Sequence, residues 1–312
     1  MRRWRRRLFV TLAVSLGVAL AGGAVEGIYR LTRLSGLSPT THPAYVEHDD
    51  LLGWRYRPGS RARHQSVDFD VEVAINGEGF RGPEWPPARD GRPLLLILGD
   101  SFAFGWGVAE ADTLTGVLRA AHPEWDVRNA AVAGYGTDQQ TLLLRELRPR
   151  LVPDAVVCVF CANDLHENMA TSAYGRRKPR YELSGREVVL DATPGPAPWL
   201  ARASYAYLAV AKLLDARTAA ASVSRPEVEW ALAEGLYRRM RDQLGGTPLV
   251  LVSDQARLAQ FAEREPGLTH VDVAAALAGP GAFTFAHDGH WTAAAHRRVA
   301  LAIGAAVQGV LR

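Results

Sequence analysis

Leu94-Leu95-Leu96-Ile97-Leu98-Gly99-Asp100-Ser101 is an apolar run that stops at a Gly-Asp-Ser turn. The run from Leu94 to Leu98 is too short for a buried helix and too unbroken for a half-exposed strand. It reads as a strand covered on both faces in a parallel sheet. Open α/β sheets bind their ligands just past the carboxyl ends of such strands. Ser101 is therefore a candidate nucleophile. On the tripeptide alone, a plain polar turn explains it as well.

Downstream, a helical pattern over Asp112 to Ala121 leads to a short strand, Val127 to Val132, which closes on Ala133-Gly134-Tyr135-Gly136. A helix over Gln139 to Leu147 follows, then a third buried strand, Ala155 to Cys161, closing on Ala162-Asn163-Asp164. This alternation predicts a parallel sheet with helices on both faces. The rhythm lapses over about 168–226, which reads as an insertion with a hairpin over Tyr181 to Leu190 and a helix from Tyr205 to Ala221. Such an insertion beside strand ends can shape a substrate pocket or be a surface excursion. The pattern resumes with a helix at Glu227 to Leu244, a strand at Pro248 to Val252, a helix at Gln255 to Arg264 and a strand at His270 to Val273. A loop from Phe283 to Trp291 precedes a final helix, with Thr292 as its N-cap.

The 312 residues are 48% hydrophobic and 22% charged, an ordinary globular composition. Arg2, Arg3, Arg5, Arg6 and Arg7 more than account for the net charge of +3, so the charge gives no support to nucleic-acid binding. Leu8 to Val25 carries no charged side chain, and as a helix it would span roughly 27 Å, close to one hydrocarbon thickness. The segment is a membrane anchor or a signal peptide. The arginines before it place the amino terminus in the cytoplasm and the remainder outside. Ala19-Leu20-Ala21 fits a cleavage site, but the uninterrupted length favours a retained anchor. The twin arginines have a faint likeness to a Tat signal. The expected layout is a basic tail (1–7), an anchor or signal (8–28), a linker and small β-rich extension (29–91), and a main domain (92–312). The linker falls at Leu37 to Pro43, and the extension shows period-two alternation over Val67 to Val73.

Cys158 and Cys161 are the two cysteines. Three apart on a strand, they point to opposite faces and can neither bridge nor share a metal readily, so both read as core residues.

Ser101, Gly134 and Asn163 each follow directly on a buried strand, which puts them on one sheet edge. A serine hydrolase needs its nucleophile there together with donors for the oxyanion. Backbone N–H groups of a glycine loop and an asparagine amide suit that task. The base comes from Phe285-Ala286-His287-Asp288-Gly289-His290-Trp291. His290 is preferred, with Asp288 orienting its Nδ1. His287 has no acid closely before it, and His296 reads as a solvated helix histidine. A metal reading of His287, Asp288 and His290 lacks a second ligand cluster, so no metal and no cofactor is expected.

Together these residues resemble the SGNH/GDSL hydrolase family. Gly99-Asp100-Ser101 matches its first block, Asn129 to Gly134 its second, Ala162-Asn163-Asp164 its third, and Asp288-Gly289-His290 its last, in the family's order across about 92–312. The resemblance implies a flavodoxin-like three-layer α/β/α sandwich that hydrolyses esters. Ser101 would be the nucleophile, His290 the base, and the Ser101 N–H, Gly134 N–H and Asn163 side chain the oxyanion hole. Two positions depart from the pattern. Cys161 stands where the third block begins with glycine, and Asp288 lies two rather than three residues before its histidine. Asp288-Gly289-His290-Trp291 is closer to the Asp-x-His-Trp of exported members that handle acetyl groups on cell-surface polysaccharides. The Gly-x-Ser-x-Gly elbow of ordinary α/β-hydrolases is absent, since Ala103 stands at its second glycine. Expected partners are an ester substrate on a small molecule or glycan and the membrane, with an acyl-donor membrane protein if the chain is an O-acetyltransferase. A catalytically idle glycan-binding or assembly module is the reading from another class.

Overall fold

Every residue of the Leu94–Gly99 strand is buried, and its five large apolar side chains are 0–1% exposed. Each such side chain stabilises the fold by about 2 kcal/mol relative to exposure. The strand is the middle of a sheet covered on both sides.

The structure is a computed structural model that describes residues 2–34, 45–185, 187–196, 199, 204–221 and 225–311. The expected linker at Leu37 to Pro43 lies outside the described residues. In chain order the elements begin with α1 (Arg2–Leu34), β1 (Val46–Asp49), β2 (Gly53–Tyr56), β3 (Arg61–Gln65) and β4 (Asp70–Ala74). Next come β5 (Leu94–Gly99), α2 (Ser101–Phe104), α3 (Leu114–Ala121), β6 (Asp126–Asn129), α4 (Thr137–Leu147), β7 (Ala155–Val159) and α5 (Asp164–Glu167). The insertion holds β8 (Ser172–Ala173), β9 (Arg176–Arg177), β10 (Arg180–Ser184), β11 (Glu187–Ala192) and α6 (Tyr205–Ala221). The chain finishes with α7 (Pro226–Leu244), β12 (Leu249–Ser253), α8 (Ala256–Arg264), β13 (Leu268–Asp272), α9 (Val273–Ala276) and α10 (Ala293–Val310).

The five-stranded sheet runs β13-β12-β7-β5-β6, parallel throughout. The chain therefore steps one way from β5 to β6, then back past β5 to β7, β12 and β13. With right-handed crossovers this reversal puts α3 and α4 on opposite faces. Accordingly α3 packs with α10 and α4 with α7, which makes the α/β/α sandwich. The reversal also opens a crevice at the carboxyl ends of β5 and β7, the position where such sheets take ligands.

The β-rich extension joins this core. Tyr45, Leu52, Trp54 and Tyr56 are buried in the main hydrophobic cluster. The buried Arg81 guanidinium donates to the carbonyl oxygens of Phe104 at 3.2 Å, Gly105 at 2.5 Å and Val108 at 2.6 Å. The apolar part of α1, Arg3–Ile28, has mean hydropathy 2.2 in its most apolar window and is long enough to cross a membrane. Near its end, Glu26 accepts hydrogen bonds from Ser204 Oγ at 3.0 Å and from the Ala206 N–H at 2.9 Å, which ties α1 to the start of α6.

Several expectations are corrected. The strand placed at Val127 to Val132 is Asp126–Asn129, and its bonding to β5 runs on past that end, the Ala130 N–H donating to the Ile97 carbonyl at 2.8 Å and the Val132 N–H to the Gly99 carbonyl at 3.1 Å. The strand placed at Val67 to Val73 is Asp70–Ala74, because Ser66 to Phe69 form a turn closed by the Ser66 N–H on the Phe69 carbonyl at 2.8 Å. Thr292 holds the N-cap position, but its hydroxyl donates to the Ala282 carbonyl at 2.6 Å instead of capping α10. His296 is buried, not solvated. It faces α3, its Nδ1 accepts the Leu114 N–H at 3.2 Å, and burial pulls its pKa down to about 3. Cys158 is a core residue, whereas Cys161 lies just past β7 and is half-buried.

Candidate active site

Ser101 is the first residue of α2. Asp100 caps that turn, its Oδ1 accepting the Phe102 N–H at 2.9 Å. Gly99 is required for the approach, because a Cβ there would lie 2.5 Å from Ala103 Cβ. Asp100 is 2% exposed, and burial, with the Glu167 charge adding to it, pushes its pKa up to about 7. It organises the turn that carries Ser101.

His290 reaches Ser101 from the loop before α10, with its Nε2 2.8 Å from Ser101 Oγ. Its Nδ1 is bonded to Asp288 Oδ1, and the same oxygen lies 3.4 Å from the His290 N–H. The tautomer consistent with both contacts carries its proton on Nδ1, leaving Nε2 to accept from the serine hydroxyl. The two-residue spacing works because Gly289 sits at φ 81°, folding the backbone so that the carboxyl meets the ring two residues on. The loop is closed by the Phe285 N–H on the His290 carbonyl at 2.9 Å and the Thr292 N–H on the Phe283 carbonyl at 3.0 Å. Phe102 and Trp106 flank the His290 ring at centroid distances of 5.0 and 5.7 Å. His287 takes no part. It is exposed, and its Nδ1 lies 2.8 Å from Asp68 Oδ1.

Gly134, after β6, is at φ 80°. Its loop is pinned by the extension: the Ala133 N–H donates to Tyr56 Oη at 2.7 Å, and Trp54 Nε1 donates to the Ala133 carbonyl at 3.2 Å. Neither the Ser101 nor the Gly134 N–H has an acceptor among the described residues. Asn163 stands at the N-cap position of α5 without a side-chain capping bond, and its Nδ2 donates to Glu167 Oε1 at 3.1 Å. Cys161 replaces the glycine of this block without opening the turn, its carbonyl accepting the Asp164 N–H at 2.9 Å.

Behind these loops lies a buried polar layer that the sequence reading passed over. Asp164 is wholly buried, accepts from Thr137 Oγ1 at 2.9 Å, and has its pKa raised by burial and by the Asp100 and Glu167 charges. Burial likewise raises Asp138, which is paired with the buried Lys178 Nζ. Tyr174 of the insertion donates its hydroxyl to Glu167 Oε1 at 2.9 Å. Glu167 had a sequence signal, since it stands four residues after Asn163 and shares its face of a helical turn. Tyr174 and Lys178 had none, because they reach the site only through the fold of the insertion.

A sequence profile of the GDSL-like lipase/acylhydrolase family matches residues 97–298. Comparison with curated proteins gave no match. Among solved structures, the chain is similar to that of TesA at 15% identity and TM-score 0.44, over 70% of this chain and 99% of that one. It is similar to the psychrotrophic esterase EstA of a Pseudoalteromonas species at 12% identity and TM-score 0.42, over 69% and 97%. It is also similar to the catalytic domain of Streptococcus pneumoniae peptidoglycan O-acetyltransferase A at 13% identity and TM-score 0.37, over 70% and 94%. The profile spans the strand before Ser101 through the helix after His290, so that the serine, the glycine and asparagine loops and the histidine all fall within it. The chain belongs to the GDSL-like lipase/acylhydrolase (SGNH) family.

Proposed function

We propose that the protein is a serine esterase that removes acyl groups, acetyl first among them, from esters of carbohydrate outside the cytoplasm, held to the membrane by α1. The observation that carries this reading is the contact between Ser101 Oγ and His290 Nε2 at 2.8 Å, with Asp288 on the far nitrogen of the ring. In the reaction, Ser101 Oγ attacks the ester carbonyl while its proton passes to Nε2, and Asp288 holds the imidazolium that forms. The oxyanion receives the N–H groups of Ser101 and Gly134 and the second Nδ2 proton of Asn163. Collapse expels the alcohol, which takes the proton from His290. Water, activated by the same histidine, then releases the acid and restores Ser101. The preference for acetylated glycans is supported by Asp288-Gly289-His290-Trp291, the Asp-x-His-Trp of exported members that handle acetyl groups.

An O-acetyltransferase would use the same residues and differ only in passing the acyl group to a sugar hydroxyl. Assaying acetylated oligosaccharides with and without acceptor sugars separates the two: acetate release without an acceptor is the result expected of an esterase. The primary test is covalent labelling with a fluorophosphonate probe. The wild type should be labelled and Ser101→Ala should not; an unlabelled wild type refutes both enzyme readings and leaves the idle module.

A further inference from the structure

Among the described non-glycine residues, Tyr174 alone has a positive φ, at 55°. For a side chain of that size the left-handed conformation costs on the order of 1 kcal/mol, so the surroundings must hold it there. They do so from both sides. Asp215 of α6 accepts the Gly175 N–H at 2.6 Å through one oxygen and Ser172 Oγ at 2.7 Å through the other. These two bonds bracket Tyr174 and fix the tip of the β8–β9 hairpin.

Held in this way, Tyr174 meets both of the oxyanion loops. Its ring lies on Gly134, where an added Cβ would come within 2.7 Å of Tyr174 Cε2, and it packs perpendicular to Trp54 at 6.2 Å. Its hydroxyl donates to Glu167 Oε1 at 2.9 Å, the same oxygen that takes Asn163 Nδ2 at 3.1 Å. Glu167 is 8% exposed, whereas the Tyr174 side chain that bonds it from the insertion is half-exposed.

A primary amide carries two N–H bonds in one plane. Once an acceptor fixes one of them, the direction of the other is set. Glu167 Oε1 is that acceptor for Asn163, and the Tyr174 hydroxyl limits where that oxygen can sit. The Tyr174 ring meanwhile closes the space into which the Gly134 peptide would otherwise rotate. We propose that Glu167 and Tyr174 are positioning residues for the oxyanion hole. Glu167 aims the free Nδ2 proton of Asn163, and Tyr174, delivered by the insertion, fixes both Glu167 and the Gly134 loop. The insertion is then a working part of the acyl-transfer site. This inference rests on the esterase reading above.

The contacts between the hydroxyl, the carboxyl and the amide form a chain, so their effects are predicted to be non-additive. Removal of one oxyanion donor costs about 10²–10³ in turnover, and Asn163→Ala should fall in that range on p-nitrophenyl acetate. Tyr174→Phe keeps the ring over Gly134 and loses only the hydroxyl. Its kcat should fall about tenfold while KM stays within about twofold, as for a contact made only in the transition state. In the Asn163→Ala background the same change should cost less than about twofold, since the amide it aims is gone. Glu167→Ala should match Asn163→Ala, whereas Glu167→Gln, which retains an acceptor oxygen, should stay within about threefold of wild type. Thermal melting of each variant checks that the fold is kept. Equal losses from Tyr174→Phe in the presence and absence of Asn163, or an unchanged kcat in a wild-type background that still labels with fluorophosphonate, would overturn the inference alone. Failure of the wild type to label overturns it together with the esterase reading.

Discussion

Asp100, directly before Ser101, is buried among carboxyl groups, and this carries a cost that varies with pH. With its folded pKa raised to about 7 from the ordinary 3.8, the folded state holds a proton that the unfolded chain has released. Stability from this source is present below about pH 4, declines as pH rises, and is gone above about pH 7. His296 acts with the opposite sign. Its pKa of about 3 means that its neutral form supports the fold above about pH 6.5 and that support is lost as pH falls toward 3. The Asp100→Asn variant should therefore lose the decline between pH 5 and 7, and its melting temperature should fall less than that of wild type over that interval. Identical slopes would show that Asp100 titrates normally. At this scale the sequence was readable for placement: Ser101, Gly134 and Asn163 each stand shortly after a strand of the sheet. It was silent where burial decides: nothing local told His296 apart from a solvated helix histidine, because its partner, the Leu114 amide, lies 182 positions away.

At the scale of elements, the buried strands announced themselves through unbroken apolar runs, and α4, α6 and α7 through length and flanking residues. Strand ends were less legible, since buried apolar runs continue past them, as Ala130 to Val132 do after β6. The turn carrying Asp288 and His290 shows how an element adapts a chemical requirement to an unusual spacing. Gly289 has φ 81° and open space where a Cβ would go, so Gly289→Ala tests backbone conformation without a clash. The strain of roughly 1 kcal/mol should relax by opening the turn and pulling Asp288 off the ring. We expect kcat to fall about tenfold with a melting temperature within a few degrees of wild type, given that one such strain is small against the whole fold. Undiminished kcat would mean that the Asp288 contact survives the change or is dispensable.

Across the whole molecule, the switch point between β5 and β7 was implicit in the order of the motifs, and it gathers loops from residues 99 to 163 at one edge. In sequence the extension showed as a β-rich segment by its alternation, and the insertion as a break in the α/β rhythm that left a pocket-shaping role and a surface excursion both open. Their role comes from long-range contacts, Tyr56 and Trp54 on Ala133 and Tyr174 on Gly134, which no local pattern encodes. For α1, the arginine cluster ahead of the apolar segment argues that everything after it is exported. A phosphatase reporter fused after Arg312 should then be active, and a cytoplasm-dependent fluorescent reporter dark. The reverse pattern would place the site in the cytoplasm.

The bonds from Ser204 and Ala206 to Glu26 also set a tether length. Ala206, at Glu26, and Asp215, at the hairpin that carries Tyr174, are separated by only about 14 Å of helix. Were α1 embedded in a membrane, that span would be less than half the hydrocarbon thickness of about 30 Å, and the hairpin carrying Tyr174 would be held close to the lipid surface. For a substrate confined to that surface, encounter becomes a search over an area, and the quantity that sets the rate is molecules per unit of surface.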